Sequence, residues 1–76
     1  MSNVQNAFAK VVSESGLNLA QISQMSGLKH QTLSAIKTGR RRITLPVLIR
    51  LCDTLEIPYD ELLVALIQDI KSAGTL

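Results

Sequence analysis

Aromatic side chains are almost missing from this sequence. Tryptophan does not occur, and Phe8 and Tyr59 are the only aromatic residues among 76. With hydrophobic residues at 46% of the chain, the core must therefore be aliphatic. It must also be thin, because a chain of this length buries only about 60–65% of its unfolded surface. Such a chain can hardly wall an enclosed pocket, so no enzyme is expected. A single cysteine, Cys52, excludes an internal disulfide framework and fits a reducing compartment. Its place among apolar neighbours makes it a core residue. His30 is the only histidine, and no glycine-rich phosphate loop occurs. Neither a metal site, a cofactor nor a Cys–His nucleophile is expected. No apolar run nears the roughly 18 residues of a membrane span, and the start MSNVQNAF does not read as a signal peptide. A cytoplasmic protein is expected.

Acid is missing too, and from one place. Between Glu14 and Asp53 there is no acidic residue, while Lys29, Lys37, Arg40, Arg41 and Arg42 put five positive charges into residues 29–42. The net charge of only +2 conceals this, because the last third of the chain is acidic. So uneven a distribution in so small a chain points to an anionic partner.

The apolar residues follow a helical period throughout, without strand alternation. Val4, Phe8, Val11 and Val12 form the stripe of a first helix, with Ser2 or Asn3 as its cap and Gly16 as its close. Asn18 and Gln21 have capping-box spacing, and Leu17 and Ile22 stand where a hydrophobic staple would join them. That second helix is expected over 18–26, until Ser26-Gly27 interrupts it. A third is expected over 30–37. A fourth begins at Thr44, a good cap, with Pro46 in its first turn, and carries Val47, Leu48, Leu51, Cys52 and Leu55 until Ile57-Pro58 breaks it. The fifth runs from about Tyr59 to Lys71, with Asp60 and Glu61 suiting its N-terminal end. The tail after Lys71 should fray. The expected fold is all-α: one compact five-helix domain over 1–76.

Two short helices joined across a glycine have the layout of a helix-turn-helix. At about 3.6 residues per turn, Leu33 and Ile36 set the buried direction of the second of them. Gln31 and Thr38 point away from it, Ser34 and Ala35 lie beside them, and His30 and Lys37 flank the face. An amide, a hydroxyl, a methyl and an imidazole with no acid are groups that read base edges in a major groove. The basic residues around that face stand where phosphates would run.

The stretch LNLAQISQMSGLKHQTLSAIKTGRRRITLPVLIRLCDTLEIPYDELL resembles the phage repressor and Cro-like (XRE-type) helix-turn-helix family of bacteria, phages and plasmids. Ile22, Gly27, Leu28, Leu33, Ile36, Gly39, Thr44, Leu51, Leu55, Ile57, Asp60 and Leu62 fall at the family's spacing, without a gap, over about 17–63. The resemblance implies a five-helix DNA-binding domain that works as a dimer on a two-fold operator, with the helix over 30–37 in the major groove. It implies base contacts for His30, Gln31, Ser34 and Ala35. Asn18, Lys29, Lys37, Thr38, Arg40, Arg41 and Arg42 are expected at the DNA backbone. The chain departs from the family at Leu19, where glutamine often touches a phosphate, and at Lys29, where serine or threonine usually caps. Pro58 replaces a usual cap and Glu56 a frequent glycine.

The fifth helix carries more apolar surface than a small core can cover. Leu63, Leu66, Ile67 and Ile70 are accordingly expected at a homodimer interface. Together these features predict a transcriptional regulator, a repressor rather than an activator. A second reading is an antitoxin-like module whose fifth helix holds a toxin or a protein antagonist.

Overall fold

The computed structural model describes residues 3–73. They form α1 (Asn3–Ser15), α2 (Leu19–Ser26), α3 (His30–Lys37), α4 (Leu45–Leu55) and α5 (Asp60–Ser72), with no strand among them. The all-α, five-helix expectation holds. Ser2 and the tail beyond residue 73 lie outside the described residues; Ser72 and Ala73 close the fifth helix as its last residue and its cap.

Apolar spacing explains the packing. α1 turns Val4, Phe8 and Val11 inward, α2 Ile22, α3 Leu33 and Ile36, and α4 Leu48, Leu51 and Cys52. α1 packs against α5 and α3, and α2 against α3 and α4. Phe8 is completely buried at the centre of this aliphatic core. Ile43 is buried as well, although it directly follows the arginine run, so it ties the end of that loop to the core. Cys52 is a core residue as expected. Burial pushes its thiol pKa up, and the neighbouring Asp53 charge pushes it further the same way.

α5 presents Leu62, Ala65, Leu66 and Asp69 inward, at i, i+3, i+4 and i+7. This corrects one expectation. Leu66 is 8% exposed and belongs to the core of the single chain, so it has little surface left for a partner. The reason is register: α5 lies against α1 through the middle of its wide apolar stripe, which leaves Ile67, Ile70 and Val64 outside.

Asp69 is the one buried acid among the described residues. Its carboxylate accepts the backbone N–H of Asn3 at 2.8 Å and of Val4 at 2.9 Å. Two donors that α1 leaves without an intrahelical partner are thus satisfied from another helix. A surface pair, Lys10 with Glu61 at 3.3 Å, joins the same two helices.

Two helix ends depart from the local rules. Thr44 precedes α4 in extended conformation, yet its hydroxyl makes no capping bond. Such a hydroxyl accepts from the second or third N–H of the helix, and the second residue is Pro46, which has none. At the other end, α4 stops before Pro58, at Glu56 with φ +55°. The Ile57 N–H reaches the Cys52 carbonyl at 3.0 Å and the Glu56 N–H reaches that of Asp53 at 3.3 Å, a Schellman pattern. That pattern wants glycine at the left-handed position. Glu56→Gly is therefore expected to raise stability by about 1 kcal/mol, measured as a higher urea midpoint at unchanged slope.

Candidate nucleic-acid interface

The turn between α2 and α3 decides where α3 points. Asn18 accepts the Gln21 N–H through Oδ1 at 2.8 Å, and Gln21 Oε1 accepts the Asn18 N–H at 2.9 Å, which completes the expected capping box. Asn18 begins the second helix as its cap, outside it. Gly27 closes α2 at φ +77°, with its N–H on the Ser23 carbonyl at 2.9 Å. Three further residues fix the turn; sequence reading named Ser26 only as part of the interruption and missed Ser23 and Arg50. Ser26 is buried; its hydroxyl donates to the Ile22 carbonyl at 2.7 Å and accepts the Leu28 N–H at 3.1 Å. The Ser23 hydroxyl donates to the Leu28 carbonyl. Arg50 on α4 donates from Nη1 to the Ser26 carbonyl at 3.4 Å. The available signal was two serines, three residues apart, just before a glycine, in a helix whose other polar residues are glutamines.

α3 held in this way exposes His30, Gln31 and Lys37, with Thr38 just beyond its end; Ser34 and Ala35 are half-buried, and Leu33 and Ile36 face the core. The side chains of His30, Gln31, Ser34 and Lys37 make no hydrogen bond or ion pair among the described residues. Thr38 differs. Its hydroxyl lies at 3.0 Å from the Ser34 carbonyl and 3.2 Å from that of Ala35, and it accepts Arg40 Nε at 3.3 Å. Its proton is thus engaged inside the chain, and it steers Arg40.

The cations gather at one side. Arg40, Arg41 and Arg42 are exposed, and the N–H groups of Arg40 and Arg41 both turn back to the Ala35 carbonyl, at 2.9 and 3.2 Å. Lys29 precedes α3 in extended conformation without a side-chain cap, as lysine there would. Lys29, Arg41 and Arg42, with Thr32 and Thr44, line a cleft of about 270 Å³ between the starts of α3 and α4. Positive side chains and the positive ends of two helices converge on it, an arrangement suited to an anion.

A second surface is apolar. Leu45, Leu48, Ile49, Tyr59 and Leu63 line a groove of about 310 Å³ between α4 and α5. Along α5 the surface continues through the exposed Val64, Ile67 and Ile70. Of the large apolar side chains exposed among the described residues, only Met25 lies elsewhere. The hydroxyl of Tyr59 donates to Asp53, a bond that raises its phenol pKa and holds the ring at the groove. Of the residues expected at an interface, Ile67 and Ile70 lie here, Leu63 is half-buried beside them, and Leu66 is inside. Leu45, Ile49 and Tyr59 were missed, because the sequence reading followed only the stripe of Val47, Leu48, Leu51, Cys52 and Leu55 on α4 and sought an interface on α5 alone.

His30 and Cys52, the two residues from which metal or nucleophile chemistry would be sought, are separated: one exposed on α3, the other in the core. No helix among the described residues is long and apolar enough to cross a membrane.

A protein-family model described as helix-turn-helix matches residues 9–62, from within α1 to the start of α5. No curated protein and no solved structure matches the chain.

Proposed function

Since the chain belongs to the phage repressor and Cro-like helix-turn-helix family, whose members are DNA-binding regulators, we propose that it represses transcription as a homodimer on a palindromic operator. The observation that carries this reading is the α3 face: exposed at His30, Gln31 and Lys37, free of acid, its side chains without hydrogen-bond partners among the described residues, and bordered by the Lys29–Arg41–Arg42 cleft. In the proposed complex His30, Gln31, Ser34 and Ala35 read base edges. Asn18, Lys29, Lys37, Thr38 and Arg40–Arg42 stand at the backbone, Asn18 and Thr38 through what their internal bonds leave available. Repression is preferred to activation because no acidic side chain between Glu14 and Asp53 is present to meet polymerase near the DNA. The direct test is selection from a random duplex library with the purified protein. Enrichment of a palindrome with half-sites about 34 Å apart is the expected result; no enrichment above bulk DNA sinks the reading.

Two variants separate its parts. Arg41→Ala should weaken binding to every duplex and reduce the slope of log K against log salt by about 0.9, the value of one released phosphate contact. An unchanged slope in a salt titration removes Arg41 from the backbone contacts. Ile67→Asp should give monomers in sedimentation velocity, because it places a charge on the apolar surface of α5. A persistent dimer moves the interface elsewhere. The groove beside Leu45, Ile49, Tyr59 and Leu63 also favours a second reading, in which a toxin or antagonist occupies this surface. A mixed stoichiometry on co-purification would identify that case.

A further inference from the structure

We infer that Gln5, at the start of α1, is a positioning residue for DNA binding: it fixes the arginine loop against the end of the recognition helix. The inference rests on the DNA-binding reading above and concerns a residue outside the helix-turn-helix.

Gln5 Nε2 donates to the carbonyl of Lys37 at 3.0 Å. Lys37 is the last residue of α3, so this carbonyl is one that the helix cannot satisfy itself. The chain then passes Gly39 at φ +80°, so close to the same amide that a Cβ there would stand 2.8 Å from Gln5 Oε1 and 3.0 Å from Nε2. Arg40 and Arg41 follow at once, their N–H groups on the Ala35 carbonyl, and Ile43 enters the core. The three arginines thus leave a backbone held on one side by α3 and on the other by Gln5. A cavity of about 200 Å³ opens between Gln5, Gly39, Arg41 and Arg42. The first turn of α1 is itself anchored, through the Asp69 carboxylate on the N–H groups of Asn3 and Val4.

The loop's own bonds run back to α3, at the Ala35 carbonyl, and its far end enters the core at Ile43; its tie to α1 is Gln5. Without Gln5 the loop would have to be ordered when DNA binds, and ordering rotamer-rich side chains at that moment weakens association. Gln5 acts through the arginines, with no contact of its own to DNA.

The test is a cycle on non-specific duplex DNA at several salt concentrations, comparing wild type, Gln5→Ala, the pair Arg41→Ala/Arg42→Ala, and all three together. Gln5→Ala should weaken binding about two- to tenfold, the effect of leaving one side chain to be ordered on binding, and reduce the salt slope. In the background without Arg41 and Arg42 it should have no further effect. An unchanged slope overturns the inference, as does an equal loss in that background, which would make Gln5 a direct contact or a global stabiliser. Hydrogen exchange without DNA is the second readout. The Arg40 and Arg41 amides should exchange faster in Gln5→Ala, while the core amides of Val11 and Leu51 stay protected; equal protection of the loop in both proteins overturns the inference. If the wild type binds no duplex, the DNA reading fails by itself, and the exchange measurement still reports whether Gln5 holds the loop.

Discussion

Asp69→Ala should lower the folding stability by about 2–3 kcal/mol. Hydrogen bonds to a charged acceptor contribute roughly 1.5–3 kcal/mol, and loss of an ordinary helix cap about 1 kcal/mol. Asp69 combines the two, since one carboxylate accepts from both Asn3 and Val4 in a nearly buried position. The first turn of α1 contains no acid of its own, so this carboxylate supplies the negative charge that the helix end favours. The alanine variant removes that charge and leaves two N–H groups without their acceptor, one of them on the buried Val4. In a chain of this size each kcal/mol moves the midpoint by roughly 4–8 °C, so thermal unfolding followed by circular dichroism should shift downward by about 10–20 °C. Asp69→Asn, which keeps one acceptor oxygen, should lose about half as much. A shift of only a degree or two for alanine would mean that the α1–α5 apolar contact alone holds α1 in place.

Asp69 also marks the boundary of what the sequence makes legible. Helix boundaries around the turn depend on residues a few positions apart: Asn18 with Gln21, and Gly27 at the end of α2. Such signals are complete within one turn of chain, and the structure agrees with them nearly residue by residue. Asp69 is 65 or 66 residues from its donors, Gln5 is 32 from Lys37, and Arg50 is 24 from Ser26. None of these pairs has a local pattern, because the third dimension alone makes them neighbours. Counting apolar residues on the α5 wheel also passes over Asp69, although it falls in line with Leu62, Ala65 and Leu66.

The apolar surface shows the same limit in a milder form. The sequence reveals that α5 is apolar over too wide an arc, but not which edge of the arc meets α1. Leu66 was therefore expected at an interface and is buried, while Ile49 on α4 was not expected there and is exposed. At Thr44 the signal is weakened locally: the proline that suits the start of α4 removes one of the two N–H groups from which the threonine hydroxyl would accept.

The face of α3 was legible because two buried residues suffice to orient an eight-residue helix, and its key test is Gln31→Ala. On the selected operator this variant should bind about ten- to a hundredfold more weakly, corresponding to roughly 1–3 kcal/mol for a bidentate amide–adenine pair. On random duplex at the same salt its affinity should stay within about twofold of wild type, because an uncharged residue adds nothing to counterion release. Folding stability should change by less than about 0.5 kcal/mol, since Gln31 is exposed and has no partner among the described residues. Titration of both duplexes by fluorescence anisotropy separates the alternatives. Equal losses on the two would put the Gln31 amide on a phosphate, and no loss on either would mean that the second residue of α3 does not reach the bases. Selective loss on the operator has one structural cause, a side chain whose only engagement is with a base edge, and it would fix the register of α3 in the groove. His30 and Ser34, one residue before and three after, would then be the next to meet neighbouring base pairs.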